Sequence, residues 1–241
     1  METESRGERT DGAAFAQTLE SLKREGSNIL LVGPGAQAAH ERVCCRLLGE
    51  LTDQSRYRLV VTASETTYRG HSCVSTGHDQ ATQLVEIDPV TDDDPSTPVA
   101  NTGPSSASRR DTATADSEEA RTAGQSLSAL GTDVMDAVRE IEAEADGLEP
   151  AELRVCVDSL VPILHEHPTE VVFRFLHMTT ASVKRAAGMG HFHLPLDADH
   201  DAVNLLEPLF DATVEVRIRE DGYEQRWNLR DSNAPSEWLE I

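Results

Sequence analysis

Lysine is almost missing. Lys23 and Lys184 are the only two, and arginine supplies the rest of the 21 basic residues against 43 acidic ones, a net charge of −22. Nucleic acid is excluded as a partner, because a phosphate backbone needs a basic surface. An anionic membrane surface is excluded for the same reason. No apolar run reaches the roughly 20 residues that span a bilayer, and the acidic N-terminus is no basic-then-apolar leader, so the expectation is a cytoplasmic chain with no membrane contact. Aromatics make up only 4% of the residues. Cys44, Cys45, Cys73 and Cys156 form no C-x-x-C pair, so neither a zinc ribbon nor a disulfide framework is indicated. Cys156 sits inside an apolar strand and reads as a small core residue.

The abundance of aspartate beside scarce lysine points to a halophilic protein. Molar salt shortens electrostatic range to about 3 Å. A carboxylate surface then keeps the protein solvated without unfolding it by self-repulsion.

Along the chain, residues 1–11 are polar and expected to be disordered, and residues 12–241 read as one domain. Phe15, Leu19 and Leu22 make a helical stripe. Ile29 to Val32 is a short, continuous apolar run, as in a strand covered on both faces. A helix follows with Val43, Cys44, Leu47, Leu48 and Leu51 on one side. Arg58–Thr62 and Gln83–Asp88 are the next strands. From about 89 to 124 the chain is rich in Asp, Ser, Thr, Pro and Ala, and reads as a disordered acidic insertion. Order resumes with the stripe Leu127, Leu130, Val134, Val138, Ile141, more in keeping with a core face than a partner groove. Leu153 to Leu160 is a buried strand. A helix capped by Thr169 and stopped by Gly188 comes next, then a strand at Gly190–Leu196 and a helix at Ala202–Leu209. The period then changes to two: Val214, Val216 and Ile218 alternate with charged residues. Asp221-Gly222 signals a turn, and Tyr223, Gln225, Trp227 and Leu229 alternate on the return. This is an α/β chain with a doubly wound, mostly parallel sheet and a C-terminal antiparallel hairpin.

Two stretches could carry chemistry. In "NILLVGPGAQAAHERVCCRLL" a strand runs through Gly33, Pro34 and Gly35 into a helix, the place of a phosphate-binding loop. The loop residues are Gly33, Pro34, Gly35, Ala36, Gln37, Ala38, Ala39 and His40. A helix N-terminus there offers backbone N–H groups to an anion. Ala38-Ala39-His40 stands where Gly-Lys-Ser/Thr would, so the lysine for the β/γ-phosphates and the hydroxyl for Mg²⁺ are absent. Each lost charge-assisted bond removes about 1.5–3 kcal/mol. Taken alone, the stretch also fits an ordinary strand-to-helix turn. In "GHFHLPLDADHD", His191 and His193 share a strand face, with Asp197, Asp199 and His200 following. Two histidines and a carboxylate suit Zn²⁺ or another divalent ion. The plainer reading is a structural pair with no metal, and Asp199 as a helix cap.

"RVCVDSL" resembles a Walker B strand, with Asp158 and Ser159 at its end. Together with "SLSALGTDV", "VVFRFLHMTTASVKRAAGMGHFHLPLDADHD" and "LLEPLFDATVEVR", it resembles a haloarchaeal RecA/KaiC-like family of unknown function, over Ser27 to about Leu229 with the insertion unmatched. The resemblance implies a RecA-like fold with a degenerate P-loop. It places Asp158 and Ser159 beside Gly33–His40 in a vestigial nucleotide site, and Glu65 near the position of a water-activating acid. The match is loose, and a solvated loop acid is the plainer reading of Glu65. The resemblance also allows a homo-oligomer.

The first functional reading is a non-hydrolysing regulatory or interaction module acting on an unknown protein partner, with no cofactor. The second is a true nucleotide binder or slow ATPase using the loop backbone, Asp158 and, as a further candidate, Glu65; under the first reading Mg-ATP binds weakly at most. The third is a metal-dependent enzyme at His191 and His193.

Overall fold

The computed structural model describes residues 4–49, 56–62, 82–87, 120–123, 127–232 and 234–241. Glu65, Cys73 and residues 89–119 of the expected insertion lie outside them. In chain order the elements are α1 (Glu4–Glu25), β1 (Ser27–Val32), α2 (Gln37–Leu47), β2 (Tyr57–Thr62), β3 (Thr82–Ile87) and β4 (Ala120–Ala123). They continue with α3 (Leu127–Glu144), β5 (Leu153–Asp158), α4 (Leu160–Glu166), α5 (Thr169–Arg185), β6 (Met189–Leu194) and α6 (Asp201–Leu206). A 3₁₀ turn (Glu207–Leu209), β7 (Ala212–Arg219), β8 (Gly222–Leu229) and β9 (Leu239–Glu240) complete the chain.

The strands form one sheet in the order β4-β3-β2-β5-β6-β1-β7-β8-β9. All pairings from β4 to β7 are parallel, and β7–β8 and β8–β9 are antiparallel. Strands β1, β5 and β6 are buried along their whole length, as a parallel sheet with helices on both faces requires. Alternation divides the core in two. Leu30, Val32, Val155, Val157, Phe192 and Leu194 face the α3 and α5 stripes, among them Leu130, Val134, Val138, Phe175 and Leu176. Ile29 and Leu31 face the other way, against Ala39 and Val43 of α2 and Phe15, Leu19 and Leu22 of α1. The Leu127–Ile141 stripe is therefore core.

Four local expectations change. Residues 4–11 are helical, not disordered: Phe15, Leu19 and Leu22 dock on the sheet side, and a nucleated helix extends at one hydrogen bond per added residue. Ala120–Ala123, placed in the insertion by composition, is a strand paired in parallel with β3; a backbone ladder asks for no large apolar side chain. Thr169 is the first helical residue of α5 rather than its cap, which is Pro168. At the other end of α5 the left-handed position belongs to Ala187 (φ 47°), not Gly188. Gly188 N–H bonds Val183 O at 2.9 Å and Ala187 N–H bonds Lys184 O at 3.0 Å, the paired closure that satisfies a helix's last carbonyls. Gly188 has a packing reason instead: a Cβ there would lie 3.1 Å from Leu153. No helix among the described residues is long and apolar enough to cross a membrane.

Candidate functional site

The chain leaves β1 through a sharp bend. Gly33 has φ 133°, and a Cβ on it would stand 2.2 Å from Val216 O of β7, so only glycine fits. Its N–H bonds Leu196 O at 2.9 Å. Gly35 (φ 64°) completes the turn into α2. Pro34, Gly35, Gln37 and Ala38 are exposed, whereas Ala36, Ala39 and His40 are buried. Ala39, in the place of the phosphate-loop lysine, is 0% exposed and packs in the cluster containing Ile29, Leu31 and Val214.

His40 turns inward. Its Nε2 lies 2.9 Å from Gly33 O, and its Nδ1 lies 3.2 Å from His193 Nδ1. These contacts constrain the tautomers of two neutral rings. A carbonyl only accepts, so His40 Nε2 carries the proton. With both rings neutral, His40 Nδ1 is then an acceptor, and His193 Nδ1 must be the donor. In that arrangement the lone pair of His193 falls on Nε2, a buried atom.

Asp158 ends β5 and is buried. Ser159 is the N-cap of α4, its side chain accepting from Val161 N–H at 3.2 Å, and the Asp158–Ser159 peptide is cis. Strand β6 lies between β5 and β1. His193 pairs with Leu31 and His191 with Cys156. Continuing that register sets Asp158 beside His193, one strand away from the loop strand.

The second candidate site is larger than its sequence motif. His191 and His193 do share a face, with ring centroids 5.4 Å apart. Asp197, Asp199 and His200 are not their partners. His200, rather than Asp199, caps α6, accepting from Ala202 N–H at 3.1 Å; the imidazole Nδ1 reaches the second helical amide from the cap position, as a cap side chain must. The groups that join the histidines are Cys44 of α2 and Cys156 of β5. His191 Nε2 is 3.2 Å from Cys44 Sγ, and Cys44 Sγ is 3.8 Å from Cys156 Sγ. Ligand atoms of Cys44, Cys156, His191 and His193 all lie within 4.8 Å of one another, and all four residues are buried. Cys44 lies one helical turn beyond His40, so α2 presents both to the same sheet face.

The far end of α2 is also held by buried polar groups. Arg58 Nε donates to Leu48 O at 3.1 Å and Arg154 Nη1 to Leu47 O at 3.0 Å, capping carbonyls where the helix dipole is negative. The two arginines are cross-strand partners on β2 and β5. Burial first, and then the nearby Arg56 and Arg58 charges, push the Arg154 guanidinium down to about 10.

A search of curated proteins finds no match to the chain. Residues 26–216, from the glycine before β1 to the middle of β7, match a family of unknown function, and the chain therefore belongs to the DUF7504 family.

Proposed function

We propose that the chain is a non-hydrolysing RecA-like module that acts through protein contacts in the cytoplasm of a salt-adapted cell. The strand order supports this reading. The loop strand β1 and the acid-bearing β5 flank β6, and an antiparallel hairpin closes the C-terminal side, where the sequence motifs led one to expect it. The single observation that carries the non-hydrolysing part is the state of residues 39 and 40. Ala39 is buried and without charge, and the His40 ring is bonded back to Gly33 O. The loop can offer backbone N–H groups and nothing to compensate a triphosphate, whose charge Asp158 would repel.

The test is calorimetric titration with Mg-ATP in molar KCl. The expected affinity is no better than about millimolar, roughly −4 kcal/mol, with no turnover above background. Micromolar binding that disappears in Asp158→Ala would overturn the reading in favour of a working nucleotide site.

A further inference from the structure

We propose that Cys44, Cys156, His191 and His193 form a closed, tetrahedral site for Zn²⁺ that clamps α2 to β5 and β6. The proposal stands apart from the nucleotide question and from any RecA likeness.

Geometry comes first. With Zn–S about 2.3 Å and Zn–N about 2.0–2.1 Å, a tetrahedron has S–S edges of about 3.8 Å and S–N edges of about 3.5 Å. The Cys44–Cys156 Sγ separation is 3.8 Å and the His191 Nε2–Cys44 Sγ separation is 3.2 Å. The full set spans no more than 4.8 Å, so small side-chain rotations bring every donor to bonding distance of one centre. Cys44, Cys45 and Cys156 carry no disulfide, so both sulfurs are available as thiolates.

The chemistry of the donors selects the ion. Two thiolates and two imidazoles are a soft and borderline set that suits zinc and rejects Mg²⁺ or Ca²⁺, which take oxygen ligands. Charge decides further. The four residues are 0–2% exposed, in apolar surroundings that include Leu48 and Val60. An isolated ion there would be costly. Two thiolates and one Zn²⁺ sum to zero, and metal binding releases the two thiol protons to solvent. Four protein ligands leave no open position, so the site is structural and does not activate water.

An orienting shell is already in place. With neutral rings, the chain from Gly33 O through His40 to His193 places the His193 proton on Nδ1 and its lone pair on Nε2, an arrangement that suits a ligating imidazole. This assigns His40 a role that the phosphate-loop comparison does not. It is a positioning residue for the metal, tied to the loop by one hydrogen bond.

Elemental analysis of untagged protein should give one zinc per chain. Metal stripped by chelator in denaturant should be replaceable by Co²⁺ on refolding. The cobalt protein should show a thiolate-to-cobalt charge-transfer band and the intense visible bands of tetrahedral coordination. Cys156→Ser, refolded alongside and checked by circular dichroism, should lose most of the charge-transfer intensity. His40→Ala should keep the spectrum while weakening metal affinity by about 10–100-fold. A wild-type protein that carries no zinc and gives no charge-transfer band with cobalt would overturn the proposal without recourse to any variant. So would a full-strength band in a folded Cys44→Ser, Cys156→Ser double variant.

Discussion

Placing a lysine at position 39 should not create a nucleotide site, and the structure says what it costs. Ala39→Lys adds a four-carbon stem and an ammonium at a position with 0% exposure, among Ile29, Leu31, Val43, Val214 and Val216. Overpacking a core site costs about 1–3 kcal/mol. Desolvating an ammonium that has no carboxylate beside it adds several kcal/mol more, relieved in part if the stem bends toward the loop surface. A net loss of about 3 kcal/mol or more is a large share of the roughly 5–15 kcal/mol that holds a domain together. For a chain of this size it lowers the melting temperature by about 6–12 °C or more. The control is Ala38→Lys, one residue earlier and exposed, where a surface change should stay within about 0.5 kcal/mol. Both variants are melted by far-UV circular dichroism in molar KCl and titrated with Mg-ATP. An Ala39→Lys protein that melts with the wild type and gains micromolar Mg-ATP binding would refute the claim that the loop interior is closed.

Three other outcomes are expected. Phe192 is 0% exposed and its ring centroid lies 5.1 Å from that of Phe210, so Phe192→Ala should cost about 3–5 kcal/mol in urea unfolding; a loss under 1 kcal/mol would show that the α5 side collapses to fill the space. Arg154→Met removes a charged hydrogen bond worth about 1.5–3 kcal/mol, but it also removes a guanidinium that burial, and then the Arg56 and Arg58 charges, hold at about 10, well below its ordinary value, so the net change at neutral pH should be small. Its folded value lies below its unfolded one, so the unfolded chain binds the extra proton as pH rises above about 10, and wild-type stability relative to the variant should rise there; a flat difference would show that the folded value is not lowered. With 43 acidic residues against 21 basic ones, the melting temperature should fall as KCl is lowered from molar to tenth-molar, and a constant value would dismiss the halophilic reading.

Much of the architecture was legible because it rests on local periods. The continuous apolar run at Ile29–Val32 and the largely apolar Leu153–Val157, broken only by Arg154, announce buried strands, and the alternation from Val214 to Leu229 announces the hairpin. The pairing of His191 with His193 follows from the two-residue period of a strand. Cys44 and Cys156 could not be added to them from sequence, because they are 112 residues apart. They meet because α2 packs over β6, the neighbour of β5 in the sheet, a fact of topology that no spacing rule encodes. His40 was read for what it fails to give a phosphate, and its inward turn depends on a partner 153 residues away. Composition misjudged residues 4–11 and 120–123 for a related reason: long helices and edge strands gain order from backbone bonding to neighbours, which apolar content does not measure.

The dense set of polar contacts under α2 has a consequence for how such chains diverge. His40, Cys44, Cys156, His191 and His193 come from three elements and share one small volume, so replacing any one alone leaves the others mismatched. Drift should therefore be tolerated at the exposed Gln37 and Ala38 while the interior set is inherited or abandoned as a block. Across family members, a chain that has exchanged Cys44 for an aliphatic residue should have exchanged Cys156 and His191 as well. Independent scatter at those three positions would mean that each is retained, where it is retained, for packing alone.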